Sequence, residues 1–136
     1  MSLQVVNITD EVTGAFTNAR LGNDVRFLQL TMDLSDENTP ALRLHNTQNK
    51  GDSFESDFNS IANQIGDGKN PYFFLVRLEA DSEWVLVWYV PDNSKVRQKM
   101  LFSSTVNQLK NVLGTQYLIG DYHTSHADEL SFTEFE

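Results

Sequence analysis

The sequence contains no cysteine, and only three prolines and seven glycines occur among its 136 residues. The absence of cysteine excludes disulfide bonds and thiol chemistry, and it is typical of intracellular proteins. No apolar run approaches the roughly 20 residues of a membrane-spanning helix, and the first residues lack the basic start of a signal peptide. We therefore predict a single cytoplasmic domain over residues 1–136, without a transmembrane segment.

Basic residues are also scarce: ten lysines and arginines stand against nineteen acidic residues, and the formal net charge is −9. This balance argues against nucleic-acid binding, which requires a basic surface. The charge is unevenly distributed, because residues 93–120 contain four basic side chains and no acidic one, which leaves −13 on the rest of the chain. We expect one basic face on an acidic body, which would orient an acidic partner as it approaches.

A helix of about five turns is predicted between Pro91 and Gly114. Asn93 or Ser94 offers an oxygen for its N-cap, and Gly114 can adopt the left-handed conformation that ends a helix. With about 100° between successive residues, the large apolar side chains gather on one face, which must lie on a core. These side chains are Leu101, Phe102, Val106, Leu109, Val112 and Leu113.

The outer face of this helix does not match what folding alone would favour. Met100 falls nearly opposite the core face, among polar residues that include Ser104, Asn107 and Asn111. Three cations occupy the first turn, where the helix dipole disfavours each by about 0.3–1 kcal/mol. They are Lys95, Arg97 and Lys99. An exposed methionine beside misplaced cations favours a protein-binding surface over an ordinary solvated face.

The start of this helix resembles the long actin-binding helix of the actin-depolymerising factor/cofilin homology (ADF-H) domain. The resemblance is carried by Pro91-Asp92-x-Ser94-x-Val96-Arg97-x-Lys99-Met100-Leu101-Phe102. The run Val-Arg-Gln-Lys-Met-Leu is most similar to twinfilins, especially their first domain. The resemblance extends to the N-terminal helix and to the paired strands before Pro91. Val90 and Phe102 depart from the serine and tyrosine that are usual in the family.

In that family, the equivalents of Arg97, Lys99 and Met100 enter the cleft at the barbed-end face of the actin monomer. The resemblance therefore implies an actin-binding site on this helix. Its candidate residues are Lys95, Val96, Arg97, Lys99, Met100, Ser104 and Asn107.

The other patterns predict helix, hairpin, helix and hairpin before the long helix, then a strand and a final helical segment. The predicted strands are Val25–Leu34, Ala41–His45, Tyr72–Leu78, Trp84–Val90 and Thr115–Tyr122. The other predicted helices start at Thr9 or Asp10, at an Asp52-x-x-Glu55 capping box, and near Ala127. The fold class is therefore α/β (α+β), with one mixed sheet of about five strands and helices on both faces, as in the ADF-H domain.

No catalytic, phosphate-binding or dinucleotide-binding motif occurs in the sequence. His123 and His126, near Asp121 and Asp128, form the one cluster that resembles a metal or acid–base site. Their polar, poorly patterned segment favours solvated surface residues instead. His45 is expected at a strand edge. We predict no enzymatic activity, no cofactor and no bound metal.

The resemblance implies a monomeric module that sequesters actin monomers and slows their nucleotide exchange. One alternative is a cofilin-like protein that binds and severs filaments. Filament binders usually carry basic residues in the hairpin that corresponds to Glu79–Glu83, where this sequence is acidic. Another alternative is a phosphoinositide-binding regulator that uses Lys95, Arg97, Lys99 and Lys110. Four cations on an acidic body predict only weak, salt-sensitive membrane affinity.

Overall fold

The computed structural model describes residues 6–36, 38–80 and 83–135. Within these ranges, six strands form one sheet in the order β1-β3-β2-β4-β5-β6. The β1–β3 and β5–β6 pairs are parallel and the other neighbours are antiparallel, which confirms a mixed sheet. The short β1 is the strand that the sequence analysis did not predict. The strands are β1 (Asn7–Ile8), β2 (Val25–Asp33), β3 (Ala41–Asn49), β4 (Tyr72–Arg77), β5 (Trp84–Tyr89) and β6 (Leu118–Thr124).

Helices cover both faces of the sheet, as predicted. One face packs against α1 (Asp10–Leu21) and α3 (Val96–Leu113). The other face packs against α2 (Phe54–Asn59), the 3₁₀ helix Ser60–Gln64 and the C-terminal α4 (Phe132–Phe135). A further 3₁₀ turn at Ala127–Glu129 leads from β6 to α4. No helix within the described ranges is both long and apolar enough to cross a membrane.

Apolar side chains alternate between the two faces of the central strands, so each strand contributes to two cores. In β4, Phe73 lies on the α1/α3 face and Phe74 lies on the α2/α4 face, and both are fully buried. Phe73 stacks on Phe102 of α3 at a centroid distance of 4.6 Å. On the other face, Phe58 stacks on Phe135 at the same distance. The near-continuous apolar strands predicted from the sequence are therefore buried on both sides.

The helix starts are capped differently from the sequence expectation. The N-cap of α2 is Ser53, whose hydroxyl oxygen accepts a hydrogen bond from the Ser56 N–H. The predicted capping box with Asp52 as its first residue is therefore wrong by one position. The carboxylate of Asp57 instead accepts a bond from the Gly51 N–H, which fixes the loop ahead of the helix.

Two buried arginines join the sheet to its helices, at the end of β4 that is remote from the start of α3. Arg26 forms an ion pair with Asp57 at 2.8 Å and also donates to the carbonyl of Arg77. Arg77 donates to the carbonyls of Ala19, Gly22 and Val25, and its guanidinium lies 4.7 Å from the centre of the Trp84 ring. Buried cations are tolerated when such acceptors surround them.

Candidate functional site

The long helix α3 is anchored along one face. It connects β5 to β6 and buries Leu101, Phe102, Val106, Leu109 and Leu113 against the sheet, as predicted. Thr105 is buried in the same face, which the sequence analysis missed, and its hydroxyl donates to the Leu101 carbonyl. That internal bond satisfies the hydroxyl and makes its burial acceptable. Val112 was predicted to lie in the core but is 51 % exposed, in the last turn of the helix.

The first turn of α3 has no side-chain cap. Its N-cap is Lys95, which offers no acceptor oxygen and makes no capping bond. The predicted caps, Asn93 and Ser94, lie outside the helix because the chain turns there and the Ser94 N–H bonds to the Pro91 carbonyl at 2.9 Å. A Ser, Thr, Asp or Asn at this position would stabilise the helix by about 0.5–2 kcal/mol, and a lysine does not provide this stabilisation. The first turn of the helix is therefore less stable than a capped first turn would be.

The outer face of α3 presents an apolar stripe. Val96 and Met100 are one turn apart, and 72 % and 39 % of their surfaces are exposed. Ser104 and Asn107 follow Val96 and Met100 at helical spacing, and Asn107 is exposed whereas Ser104 is half-buried. The Ser104 hydroxyl donates to the Leu101 carbonyl. The structure thus places four of the seven candidate residues in one line on the surface.

The candidate cations flank this stripe. Lys95, Arg97 and Lys99 are all exposed in the first turn or just before it. Lys99 also contributes to a surface groove of about 360 Å³ that is lined by Met100, Ser103 and Ser104. The site therefore combines exposed apolar surface, hydroxyl groups and positive charge, a combination suited to an acidic protein partner.

A second cavity, of about 340 Å³, shares Lys99 and Ser103 with this groove. It separates the start of α3 from the ends of β5 and β6. Its lining residues are Trp88, Val90, Asp92, Lys99, Ser103, His123 and Ser125. This proximity was not predicted, because His123 and Ser125 follow Lys99 by 24 and 26 positions and the pairing of β5 with β6 brings them back beside α3.

Both histidines of the predicted surface cluster are exposed, as expected. His123 stacks on Trp88 with ring centroids 3.9 Å apart. His126 places Nε2 3.2 Å from a carboxylate oxygen of Asp92, in the loop ahead of α3. Among the described residues, no three histidine or acidic side chains form a group that could hold a metal ion. The third histidine, His45, packs beside Tyr72 on the stretch of β3 that extends beyond β1.

A carboxylate organises the segment that carries His126. Glu129 accepts bonds from the backbone N–H groups of Ser125 and His126, each at 2.9 Å. The Ser125 N–H is the main reason that the pKa of Glu129 is lowered, and the His126 N–H adds to the effect. These bonds fix the turn between β6 and α4, and so fix the backbone position of His126 relative to α3.

The acidic hairpin lies at the other end of the sheet. Glu79 is exposed and Glu83 is half-buried, and the Leu78 N–H bonds to the Glu83 carbonyl to close the hairpin. Asp81, the third acid of the predicted turn, lies outside the described residues. The connection from β4 to β5 begins where β4 ends, whereas α3 starts after the opposite end of β5. The candidate actin-binding face and the acidic hairpin are therefore at opposite ends of the strands.

Lys110 lies in the last turn of α3. Its Nζ is 2.9 Å from a carboxylate oxygen of Asp121 on β6, so its charge is compensated within the protein. The exposed cations of the helix are Lys95, Arg97 and Lys99, and the basic surface therefore centres on its start.

Comparison with known proteins places this geometry in a family. The chain matches the family described as cofilin/tropomyosin-type actin-binding protein over residues 5–136. It is 28 % identical to twinfilin of Dictyostelium discoideum over 129 residues, which cover 90 % of this chain and 36 % of that protein. It is 30 % identical to twinfilin of Drosophila melanogaster over 80 residues, which cover 56 % of this chain and 23 % of that protein. The chain thus spans about a third or less of the length of these relatives.

Solved structures share the fold. The structure of Eh twinfilin superposes with a TM-score of 0.80 at 24 % identity, covering 92 % of this chain and 91 % of the other. Plasmodium berghei actin depolymerization factor 2 gives a TM-score of 0.75 at 12 % identity, covering 95 % and 92 % of the two chains. The six-stranded sheet with α3 across it is therefore the ADF/cofilin fold. With the match over residues 5–136, the chain belongs to the cofilin/tropomyosin-type actin-binding protein family.

Proposed function

We propose that this domain binds the actin monomer through the outer face of α3 and acts as a twinfilin-like sequestering module. The observation that carries the proposal is the exposed Val96–Met100 stripe between Arg97 and Lys99, on a helix whose opposite face is buried. A methionine and a valine supply an apolar centre, and the flanking cations supply charge complementarity to an acidic partner. Lys95, Ser104 and Asn107 extend the proposed contact along the helix.

The same residues explain the proposed consequence for actin. A rigid helix in the barbed-end cleft of the monomer would block addition of that monomer to a filament, and it would slow nucleotide exchange by restraining the cleft. In this proposal the domain is a binding protein rather than an enzyme, works as a monomer without a cofactor, and is located in the cytoplasm with the actin cytoskeleton. The match to an actin-binding family supports actin as the partner.

Titration of fluorescently labelled monomeric actin with the domain tests the proposal. We expect saturable one-to-one binding and slower release of a fluorescent nucleotide from the bound monomer. Asn111→Ala, on an exposed position of α3 further from its start, is the matched control and should bind like the wild type. An absence of binding at micromolar concentrations, for a domain shown to be folded by circular dichroism, would contradict the proposal.

The acidic hairpin distinguishes monomer capture from filament decoration. Actin is itself acidic, so Glu79, Asp81 and Glu83 would meet like charge at a filament contact, and salt screens this repulsion only partly over a Debye length of about 8 Å. We expect the wild-type domain to stay in the supernatant when filaments are sedimented. Replacing the three acids with lysine should raise filament association. Stoichiometric co-sedimentation of the wild type at physiological salt would favour the filament-binding alternative instead.

Phosphoinositide binding is a secondary mode in this proposal. Lys110 is paired with Asp121, so it adds little to the attraction that the exposed Lys95, Arg97 and Lys99 exert on a lipid surface. Near a membrane each cation contributes about 1 kcal/mol, and the acidic body opposes the approach. Flotation with vesicles that contain phosphoinositide should therefore recover little protein at physiological salt.

A further inference from the structure

The exposed large apolar side chains of this domain form two sets at opposite ends of the sheet. Within the part of the chain that the structure describes, there are five of them. Val96 and Met100 lie near the start of α3 and belong to the proposed actin-binding site. Leu21, Val112 and Ile119 form the other set, with 72 %, 51 % and 52 % of their surfaces exposed. The proposed function gives this second set no role.

Two residues of the second set flank the turn between α3 and β6. The Gly114 carbonyl accepts bonds from the N–H groups of Tyr117 and Leu118, each at 3.1 Å, which closes the turn. Val112 precedes Gly114 by two positions, and Ile119 directly follows Leu118. The exposed apolar side chains at the end of α3 and at the start of β6 are therefore joined by one short, hydrogen-bonded turn.

Leu21 reaches the same turn from α1. It is the last residue of that helix, and the guanidinium of its neighbour Arg20 lies 4.1 Å from the centre of the Tyr117 ring. Phe16, one helical turn earlier, also contacts this ring, at a centroid distance of 6.4 Å. The end of α1 is therefore held against the turn, and three elements bring exposed apolar side chains to one region. We call this region the apolar corner, and its residues are Leu21, Val112 and Ile119.

Acidic side chains border the apolar corner. The Trp84 N–H bonds to the Tyr117 carbonyl at 2.8 Å, so Glu83, the residue before Trp84, lies beside the turn. Glu79 is exposed at the other side of the same hairpin, and the sequence places Asp81 between these two acids. The hairpin therefore carries three negative charges next to the apolar corner.

The cations of this end of the molecule do not offset the hairpin. Lys110 pairs with Asp121, and Arg77 is buried among backbone carbonyls. Lys50 follows β3, toward the other edge of the sheet. Arg20 contributes one positive charge at the turn, against the three acids of the hairpin. The surface around the apolar corner is consequently acidic.

We propose that the apolar corner binds a basic amphipathic helix of a partner protein. Such a helix presents apolar anchors one turn apart on a single face, which matches three apolar side chains that come from separate elements. Lysine or arginine beside those anchors complements the carboxylates of the hairpin. Anionic membranes and nucleic acids do not fit this surface, because the same carboxylates would repel them.

The apolar corner and the actin-binding face can be occupied at the same time. Because β6 is parallel to β5, the turn before β6 lies beside the start of β5, whereas α3 begins after the end of β5. A helix bound at the corner would leave the Val96–Met100 stripe uncovered. One domain would then hold an actin monomer and a basic partner together. Simultaneous binding rests on the proposed function of α3, whereas binding of the basic helix does not.

The test is a titration of the domain with a synthetic amphipathic peptide of leucine and lysine, long enough for about five helical turns. A matched peptide with glutamate in place of lysine is the control ligand. We expect one-to-one binding of the lysine peptide and no binding of the glutamate peptide. In NMR spectra of the isotope-labelled domain, the backbone amide signals of Leu21, Val112 and Ile119 should shift on addition of the lysine peptide.

Two variants locate the binding site. Leu21→Ser with Val112→Ser and Ile119→Ser should raise the Kd for the lysine peptide about tenfold or more, as expected for the loss of apolar anchors. All three side chains are exposed, so circular dichroism should show that this triple variant is folded. Val96→Ser with Met100→Ser is the matched control, since it removes the other exposed apolar set, and it should leave this Kd unchanged.

Unchanged affinity of the triple variant for the lysine peptide would overturn the proposal and leave only a general attraction of a basic peptide to an acidic protein. Equal binding of the two peptides, or amide shifts confined to the start of α3, would also overturn it. Displacement of the lysine peptide by monomeric actin would overturn simultaneous binding. The peptide titrations contain no actin, so a wild-type domain that binds the peptide but not actin would overturn the proposed function of α3 alone.

Discussion

The two ends of α3 are built differently. In the C-terminal half, Leu109 and Leu113 are buried, Gly114 ends the helix at a φ of 111°, and Lys110 pairs with Asp121. In the N-terminal half, Lys95 occupies the cap position without a capping bond, and Val96 is largely exposed. The C-terminal end has the glycine and the buried leucines that stabilise a helix, whereas the N-terminal end lacks a capping bond and begins with cations. The difference indicates that the buried face from Leu101 to Leu113 holds the helix on the sheet and that the first turn is available for a partner.

Removing a core side chain from the C-terminal half should have the largest effect. Leu109→Ala leaves a cavity beneath α3 and should lower the free energy of unfolding by about 2–5 kcal/mol, because Leu109 is fully buried. Urea denaturation followed by circular dichroism measures this loss. The protein that remains folded should bind monomeric actin with nearly wild-type affinity. A stability change below about 0.5 kcal/mol would show that this half of the helix is not the anchor.

Removing two cations from the N-terminal half should have the opposite pattern. Arg97→Ala with Lys99→Ala should weaken actin-monomer binding by about 2 kcal/mol or more, as expected for residues at the centre of an interface. Both residues are exposed, so the free energy of unfolding should change little. The check is a paired measurement of actin affinity and urea denaturation. Unchanged affinity in the folded double variant would remove these residues from the site.

Met100 tests the apolar part of the same face. Met100→Ala should weaken binding by about 1 kcal/mol while the melting temperature stays near that of the wild type, because the side chain points away from the core. Thermal denaturation and actin titration are measured on the same sample. A fall in melting temperature as large as that of Leu109→Ala would instead identify Met100 as a core residue.

The cap position tests whether stability and binding oppose each other. Lys95→Asp supplies an acceptor oxygen and an acid at the positive end of the helix, and it should raise the free energy of unfolding by about 1 kcal/mol. The same change removes a cation from the proposed site and should weaken actin binding. Lys95→Ala is the control, since it removes the cation without adding a cap. Stronger binding by the aspartate variant would contradict the assignment of this end to an acidic partner.

The sequence predicts the elements of this fold because most of its signals are local. The apolar periodicity of α3, the glycine at its end and the dense apolar strands β4 and β5 each lie within about 20 residues of chain. The limits of β3 could not be obtained in this way. Its second half, up to Asn49, is polar and reads as a turn, yet it is held as a strand by antiparallel pairing with β2. Pairing with a distant strand overrode local preference.

The site was predictable only in part. The positions on α3 that face away from the core could be predicted from the helical periodicity, and the candidate residues lie on that side of the helix. The proximity of His126 to Asp92 could not be predicted, because 34 positions separate these residues and the parallel pairing of β5 with β6 brings them together. The buried partners of Arg26 and Arg77 were missed for the same reason, since charged residues in strands usually indicate solvent exposure.

The position of Arg77 has a consequence for the order of folding. Its side chain bonds to carbonyls at the end of α1 and the start of β2, which lie 52–58 residues earlier in the chain. The carbonyls at the end of α1 therefore accept these hydrogen bonds from Arg77 only after β4 has docked beside β2. Contacts over such separations form late, because closing the intervening loop costs chain entropy before any contact is gained. The last turn of α1 should therefore reach its native structure at the same time as the sheet, although the first turns of this helix can form from local sequence alone.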